Sequence, residues 1–376
     1  MDIAAPYFDD SEIAAVKRCL DSGWVTQGPF VEEFEQCVAD LHRVKYALAT
    51  TSCTAGLHLG NLALGLGPGD EVLVPAFTWV TSAYSVEYVG ASPVFVDIDL
   101  DTFNIDLGAA EAAIGPNTKA IMAVHLFGLP CDMDPLTALA KKHNLFVIED
   151  AACGIGTRYK GQPVGGIGDV GSFSFHPRKI ITTGEGGMIT TNQADLAKKV
   201  KSLRNHGATG LPAGSDPRDP FVMNTFGLLG YNLRMSDIQA AVGVAQIEKL
   251  DQMILHRRNL AKSYSHLLET FDWVAPPREP GYAFHTYQSY VVRLTGDKAG
   301  HRNSIMRDLS RSGIQTRPGT HAVPSLDYYR ERTESSKFAW ESAKIAQETT
   351  ITLPLFPTMT EGDVVQVVHA LSKCAK

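Results

Sequence analysis

A chain of 376 residues with 44% hydrophobic and 20% charged residues is long enough for one large core and a smaller second one, with the composition of a globular protein. Its formal charge of −7 excludes a general nucleic-acid surface, and the cluster Lys198-Lys199-Val200-Lys201 reads as a solvated helix face. Lacking a membrane-length apolar run, a signal-peptide core, a CxxC pair and an HExxH motif, it is expected to be cytoplasmic, with reduced thiols, no metal, and no membrane or nucleic-acid partner.

From the N-terminus, SGWVTQGP (Ser22 to Pro29) reads as a loop capping a helix that begins near Phe30. Tyr46 to Thr50 is a strand, TSCTAG (Thr51 to Gly56) a turn, and the run through Leu57, Leu62 and Leu64 a helix stopped by GLGPG at Gly65 to Gly69. A strand, a hydroxyl-rich turn and a helix start suit an anion, because backbone N–H groups, the helix dipole and the hydroxyls all favour negative charge. A plain N-cap by Ser52 or Thr54 explains the same residues. Glu71 to Phe77 is the next strand, and Trp79 after it is either core packing or a platform for a flat ring. Pro93 to Ile98 and Ala120 to Phe127 continue the series, with helical segments between, which is the pattern of an α/β fold.

Leu145 to Asp150 ends in two carboxylates, at the strand end where open α/β sheets place ligands. Asp150 is the candidate there, and Glu149, on the other face, is structural. Next, Phe173 and Phe175 alternate with Ser172 and Ser174 as a strand, Pro177 breaks it, Lys179 follows, and GEGG (Gly184 to Gly187) leads into a strand at Met188 to Thr191. An amine on an irregular loop between core strands has the setting of a Schiff-base nucleophile; a surface lysine is the alternative. A Pro/Gly/Asp-rich loop over 210–220 precedes GYNLRMSD (Gly230 to Asp237), where Asn232 is a cap candidate. Ile238 to about Leu268 reads as one long helix, His285 to Arg293 as an alternating strand, and Thr360 as the N-cap of the last helix. GIQTRPGTH (Gly313 to His321) places Arg317 and His321 on a loop.

FSFHPRK (Phe173 to Lys179), GEGG (Gly184 to Gly187) and EDAA (Glu149 to Ala152) together resemble the DegT/DnrJ/EryC1/StrS aminotransferases, and the resemblance runs from Trp24 to the region of Thr360. It implies the fold type I architecture of pyridoxal-phosphate-dependent transferases. A large α/β domain over 1–248, with an N-terminal arm and a mostly parallel seven-stranded sheet, is followed by a smaller α+β domain over 249–376. It implies pyridoxal 5′-phosphate as cofactor and transfer of an amino group, by family habit from L-glutamate, to a keto-sugar, most often nucleotide-linked. Sugar dehydration, amination of a keto-inositol and a non-enzymatic regulatory role are the alternatives. The dehydratases carry His in place of the lysine, which Lys179 argues against.

Residue by residue, the resemblance makes Lys179 the Schiff-base lysine and general acid/base, and Asp150 the partner of the protonated pyridine nitrogen. Ser52, Cys53, Thr54 and Ser174 surround the phosphate, Trp79 stacks on the ring, and Cys153 lies near the phenolic oxygen. Asn232 reaches the phosphate of a neighbouring subunit, which implies a homodimer with shared active sites. Thr26 and Gln27 are candidate sugar contacts. Three residues depart from the pattern: Cys53 replaces a usual Gly, Cys153 a usual Gln or His, and Arg317, with His321 after it, stands where many relatives have a His-Tyr pair. Arg317 suits a sugar-nucleotide phosphate or a donor carboxylate, or is a surface residue.

Overall fold

Short runs of Val, Ile, Leu and Ala, buried on both faces, form a single seven-stranded sheet in the computed structural model, which describes residues 1–216, 218–333 and 338–374. In chain order the strands are β1 (Tyr46–Thr50), β2 (Glu71–Pro75), β3 (Ser92–Val96), β4 (Thr118–Val124), β5 (Phe146–Asp150), β6 (Val170–Ser174) and β7 (Gly187–Thr191). Their spatial order is β1-β7-β6-β5-β4-β2-β3. Strands β2 to β6 are parallel, and β7 runs antiparallel to both β6 and β1. This is the mainly parallel α/β sheet that was expected. Its registers pair Asp150 with Ser172, Ser174 with Gly187, and Gly187 with Thr50. Four segments distant in sequence are thereby brought to one edge.

The helices used below are α1 (Asp10–Asp21), α2 (Pro29–His42), α3 (Cys53–Leu64), α4 (Thr81–Glu87), α5 (Asp237–Glu248) and α6 (Leu250–Leu268). Strand alternation divides the core. Val170 and Ile189 face Leu57 and Leu59 of α3, whereas Phe173, Phe175 and Met188 face Phe34 of α2 and Val244 of α5. Asp237, wholly buried at the start of α5, joins the two helices on that face. Its Oδ1 accepts from the N–H groups of Gly28 (2.8 Å) and Val31 (3.0 Å), and its Oδ2 from that of Phe30 (3.3 Å). One carboxylate thus satisfies donors at the start of α2 that have no intrahelical partner. The start of α5 itself is capped by Ser236, reciprocally with Gln239.

Beyond α6, a three-stranded antiparallel sheet (Val274–Ala275, Tyr290–Leu294, Thr350–Leu353) packs with α6 and the last helix, Glu361–Lys373, around a second apolar cluster. Thr360 opens that helix with a capping box to Asp363. The first residues lie against this layer: the Met1 ammonium donates to the Gly313 carbonyl (2.6 Å), and Leu355 N–H to that of Ile3 (3.2 Å). No described helix is long and apolar enough to cross a membrane.

Two elements differ from expectation where contacts from distant segments intervene. The helix expected from Ile238 to Leu268 breaks at Lys249 (φ −97°, ψ −6°), whose ammonium turns to the start of α1, contacting Asp9 (3.1 Å) and Glu12. The strand expected from His285 begins only at Tyr290, because Tyr287 takes a left-handed conformation (φ 49°) and Thr286 N–H bonds to the Gly128 carbonyl (3.1 Å) instead of a strand partner. The loop expected over 210–220 lies between the two arms of a short hairpin, Ala208–Gly210 paired with Thr225–Phe226; residue 217 lies outside the described residues, as do 334–337 and 375–376 of the expected second domain.

Replacing Asp237 with Ala removes the acceptor of three N–H groups, of which that of Val31 is buried. It is expected to destabilise the protein by about 2–3 kcal/mol, read as a lower midpoint in chemical denaturation.

Candidate active site

The sheet edge where β1, β5 and β6 end and β7 begins collects most of the candidate residues. Asp150 terminates β5 at 5% exposure. Its Oδ2 accepts from Ser82 Oγ on α4 (2.7 Å), and its Oδ1 from Ala152 N–H (3.1 Å), with the Cys53 thiol 4.0 Å away. Ser82 Oγ in turn lies 3.0 Å from Thr78 Oγ1. Among the described residues every group within hydrogen-bond reach of this carboxylate is neutral. A carboxylate buried so deeply calls for a positive partner, and a protonated pyridine nitrogen supplies one, so the donor set fits the cofactor's ring.

The turn between β1 and α3 is the one expected to take an anion. Ser52 is the N-cap, its Oγ accepting from Ala55 N–H (3.1 Å), and the N–H groups of Cys53 and Thr54 have no intrahelical acceptor. Capping and anion binding are therefore compatible, since the cap occupies one lone pair of Ser52 and leaves its O–H to donate. Cys53 directs its thiol inward, 3.3 Å from Ser172 Oγ. Burial, and then the nearby Asp150, push that thiol well above its ordinary pKa, so Cys53 offers the turn only its backbone N–H. Gly187 is required here: a Cβ on it would come 2.3 Å from the carbonyl carbon of Ser52 and 2.4 Å from the nitrogen of Cys53. The start of β7 and the anion turn touch along their backbones.

Lys179 sits on the loop between β6 and β7. The loop is closed on itself by Lys179 N–H to the His176 carbonyl (2.8 Å) and by Thr183 N–H and Thr182 Oγ1 to the Phe175 carbonyl (3.0 and 2.8 Å). Phe175 anchors it in the core, 4.9 Å from the Phe34 ring. Lys179 is half-buried, and its Nζ donates to Cys153 Sγ at 3.2 Å. Cys153 lies three residues beyond Asp150, so the amine and the carboxylate meet at one edge. Ser174, half-buried, has its Oγ 3.4 Å from His176 N–H. Glu149 faces away and is fully enclosed by His125 Nε2 (2.9 Å) and the N–H groups of Gly165, Ile167 and Gly168 (2.6–2.8 Å). Its role is structural.

One wall of the site comes from the C-terminal part of the chain. The two-residue strand Phe77–Thr78 pairs with His321–Ala322, and Thr320 Oγ1 donates to the Thr78 carbonyl (2.9 Å). This sets the His321 ring 5.7 Å from that of Trp79, which is 57% exposed and free to receive a flat ligand. Arg317 is half-buried nearby, its Nε enclosed and without a partner among the described residues. Burial, and then the positive charge of Arg178, hold its pKa below the ordinary arginine value.

Three candidates stay apart from this cluster within the chain. The Thr26 carbonyl accepts from Asp237 N–H at the start of α5 (3.2 Å), and the Gln27 carbonyl from Trp24 Nε1 within its own loop (3.1 Å). Asn232 is exposed and bridges Asn205 through its backbone, and its neighbour Leu233 accepts from Thr51 N–H (3.1 Å) beside the anion turn. The capping role open to Asn232 belongs to Ser236. Ser82 and Thr78 were missed. Their signal was present, as two hydroxyls four residues apart after a strand, and asking what would hold a buried Asp150 could have found them.

A family model for the DegT/DnrJ/EryC1/StrS aminotransferase family matches residues 6–372. The GDP-perosamine synthase of Caulobacter vibrioides is 41% identical over 378 residues, spanning 99% of this chain and 98% of that protein. Among solved structures, Spr1654 of Streptococcus pneumoniae superposes in its PMP form with a TM-score of 0.93 at 29% identity and in its PLP form with 0.91 at 30%, each covering 99% of this chain and 98% of that one. An aminotransferase from Psychrobacter cryohalolentis gives 0.93 at 33% identity with the same coverage.

Substituting Ala for Ser82 removes the shortest donor to Asp150. It is expected to cost about 1–3 kcal/mol of stability, while Ser82→Thr stays close to wild type, both read by chemical denaturation.

Proposed function

The chain belongs to the DegT/DnrJ/EryC1/StrS aminotransferase family, and on that premise we propose how its residues divide the work of a shared, two-subunit active site. It is a pyridoxal-phosphate-dependent sugar aminotransferase of amino-sugar biosynthesis. When bound, the cofactor supplies the electron sink through which an amino group is exchanged for a carbonyl oxygen. Asp150 holds the proton on the ring nitrogen, kept in place by Ser82 and Ala152 N–H. The N–H groups of Cys53 and Thr54 and the hydroxyls of Ser52, Thr54 and Ser174 bind the phosphate, and Trp79 covers one face of the ring. Lys179 is the covalent anchor. Once released, its Nζ accepts the proton lost from the donor's α-carbon, while Cys153 Sγ, 3.2 Å away, gives the free amine a resting partner. The observation that carries this reading is the meeting of Lys179, Cys153 and a cation-free Asp150 at one sheet edge.

The acceptor we assign is a nucleotide-linked keto-hexose, and the donor L-glutamate. The likeness to a GDP-perosamine synthase over nearly the whole chain supports a GDP-linked sugar first. Trp79 and His321, 5.7 Å apart between ring centroids, form the exposed wall that it would meet. The reading further makes the protein a cytoplasmic homodimer, consistent with six free cysteines. An exposed apolar stretch at the hairpin supports the pairing, with Phe221 at 89%, Met223 at 78%, Phe226 at 63% and Leu229 at 87% exposure. Asn232 follows this stretch and is assigned to the partner's phosphate. Thr26 and Gln27, remote from their own chain's cluster, would reach sugar across the same interface.

Purified protein supplied with pyridoxal phosphate is expected to show a visible absorption band that L-glutamate bleaches and a GDP-linked keto-sugar restores. Lys179→Ala is expected to lose the band, and a band that persists unchanged in that variant would sink the assignment. The double variant Phe221→Glu/Leu229→Glu is expected to sediment as a monomer with at least a ~100-fold loss of activity, since like charges then face each other across the pair.

A further inference from the structure

Lys179 is carried by a turn that its sequence prescribes. Pro177 fixes φ at a value suited to the second position of a β-turn, and it biases His176 away from the helical region. The turn closes with Lys179 N–H on the His176 carbonyl (2.8 Å). Pro177 has no N–H, so the next donor along the chain is Arg178, and that N–H goes to His176 Nδ1 (3.2 Å). At the other end of the same residue, the Arg178 carbonyl accepts from Gln288 Nε2 (2.7 Å). The peptide unit that enters Lys179 is thus held at both its carbonyl and its N–H. Neither side chain is loosely placed. His176 is half-buried, with its own N–H 3.4 Å from Ser174 Oγ. Gln288 is 7% exposed, and its Oε1 accepts from Ser289 Oγ (3.2 Å), which leaves Nε2 to the loop. Its carbonyl accepts from the buried Arg257 (3.3 Å), just after the left-handed Tyr287 that interrupts the expected strand.

We propose that His176 and Gln288 are positioning residues that aim Lys179, acting through the backbone of Arg178 between them. This deepens the aminotransferase reading and rests on it. Lysine is long, so a small rotation of its backbone is magnified at Nζ, and a misplacement of about 1 Å costs on the order of 100-fold in rate. Nζ itself meets Cys153 Sγ (3.2 Å), a weak hydrogen-bond partner, so the aim has to come from the chain behind it. The His176 contact needs a neutral ring with Nδ1 free and the proton on Nε2. Burial holds this ring below the ordinary histidine pKa. Glu185, ahead of β7, opposes the shift, whereas Lys179, Arg178 and Arg317 from the facing loop add to it. The accepting form therefore persists below the ordinary histidine pKa and is lost as pH falls further. Gln288 does not titrate, and it ties the turn to the C-terminal part of the chain at any pH.

Two readouts test this in the full-length protein, with and without pyridoxal phosphate. Hydrogen exchange over residues 176–183 would be followed by mass spectrometry, beside the rate of the L-glutamate half-reaction. The proteins are wild type, His176→Asn, His176→Leu and Gln288→Leu. Asn is the informative substitution, because its carboxamide oxygen accepts from the N–H two residues on, as the imidazole does here. Both Leu variants are expected to exchange this segment at least ~10-fold faster and to slow the half-reaction by about 10–100-fold. His176→Asn is expected to recover most of both. As pH falls below about 6, protection of the turn is expected to drop in wild type and to hold in His176→Asn. Matched thermal midpoints keep the comparison clear of folding. If His176→Asn is as impaired as His176→Leu, the proposal falls. It falls equally if the Leu variants exchange or react as wild type does. The acid arm needs neither Leu variant, and parallel protection in wild type and His176→Asn overturns the proposal by itself. Should wild-type holoenzyme take nitrogen from no amino acid, the aminotransferase reading fails together with the proposal, whereas a failure confined to exchange and the variants overturns the proposal alone.

Discussion

A buried carboxylate with only neutral donors around it is the constraint on which this site depends. Asp150 cannot stay inside the sheet edge unless something fixes its orientation, and here a chain of hydroxyls does so, from Thr78 to Ser82 to the carboxylate. That chain links the last residue of β5 to the segment carrying Trp79. The segment is paired in turn with His321–Ala322 from the C-terminal part of the chain. Asp150, Trp79 and His321, the residues proposed here as ring-nitrogen partner, stacking face and substrate wall, are therefore positioned by one connected network. Neutral donors also leave the carboxylate's charge uncancelled, which keeps it available to a cationic ring.

Much of this was legible before any coordinates. Periodicity located the strands ending at Thr50, Asp150 and Ser174 because they are short, apolar and bounded by turn residues, the order of the elements announced an α/β fold, and the family resemblance implied its mostly parallel sheet. Lys179 and Asp150 stood out by chemistry, an amine on an irregular loop and a carboxylate at a strand end, and motif resemblance gave them roles. What sequence did not convey was mutual arrangement. Nothing in the spacing said that Gly187 must pass a few ångströms from the Ser52–Cys53 turn, or that the thiol of Cys53 turns inward while that of Cys153 turns to Lys179. The first two are set by sheet register, which joins residues more than a hundred positions apart, and the third by the fold of the lysine loop.

The misjudged elements share a cause. Lys249 reads as an ordinary helical residue, yet the helix breaks there, where its ammonium pairs with Asp9 and Glu12 of a distant segment. His285 to Ser289 alternate as a strand should, yet Thr286 bonds across to Gly128 and Tyr287 takes a left-handed turn. In both places a tertiary contact overrides a local preference worth only a fraction of a kcal/mol per residue. Both are also joints between the large sheet and the C-terminal layer, where local pattern carries the least information.

The walls of the site are unequally built. On one side the anion turn, β7 and the lysine loop are locked by five register pairs between β1 and β7 and by a backbone approach too close for any side chain at Gly187. On the other, Trp79 and His321 are held together by a strand pairing only two residues long. Local opening breaks the fewest hydrogen bonds at the second wall, so the free-energy cost of admitting a bulky ligand is lowest there. The wall built by β1 and β7 is the rigid one, and the wall that carries Trp79 and His321 is the one that opens at least cost.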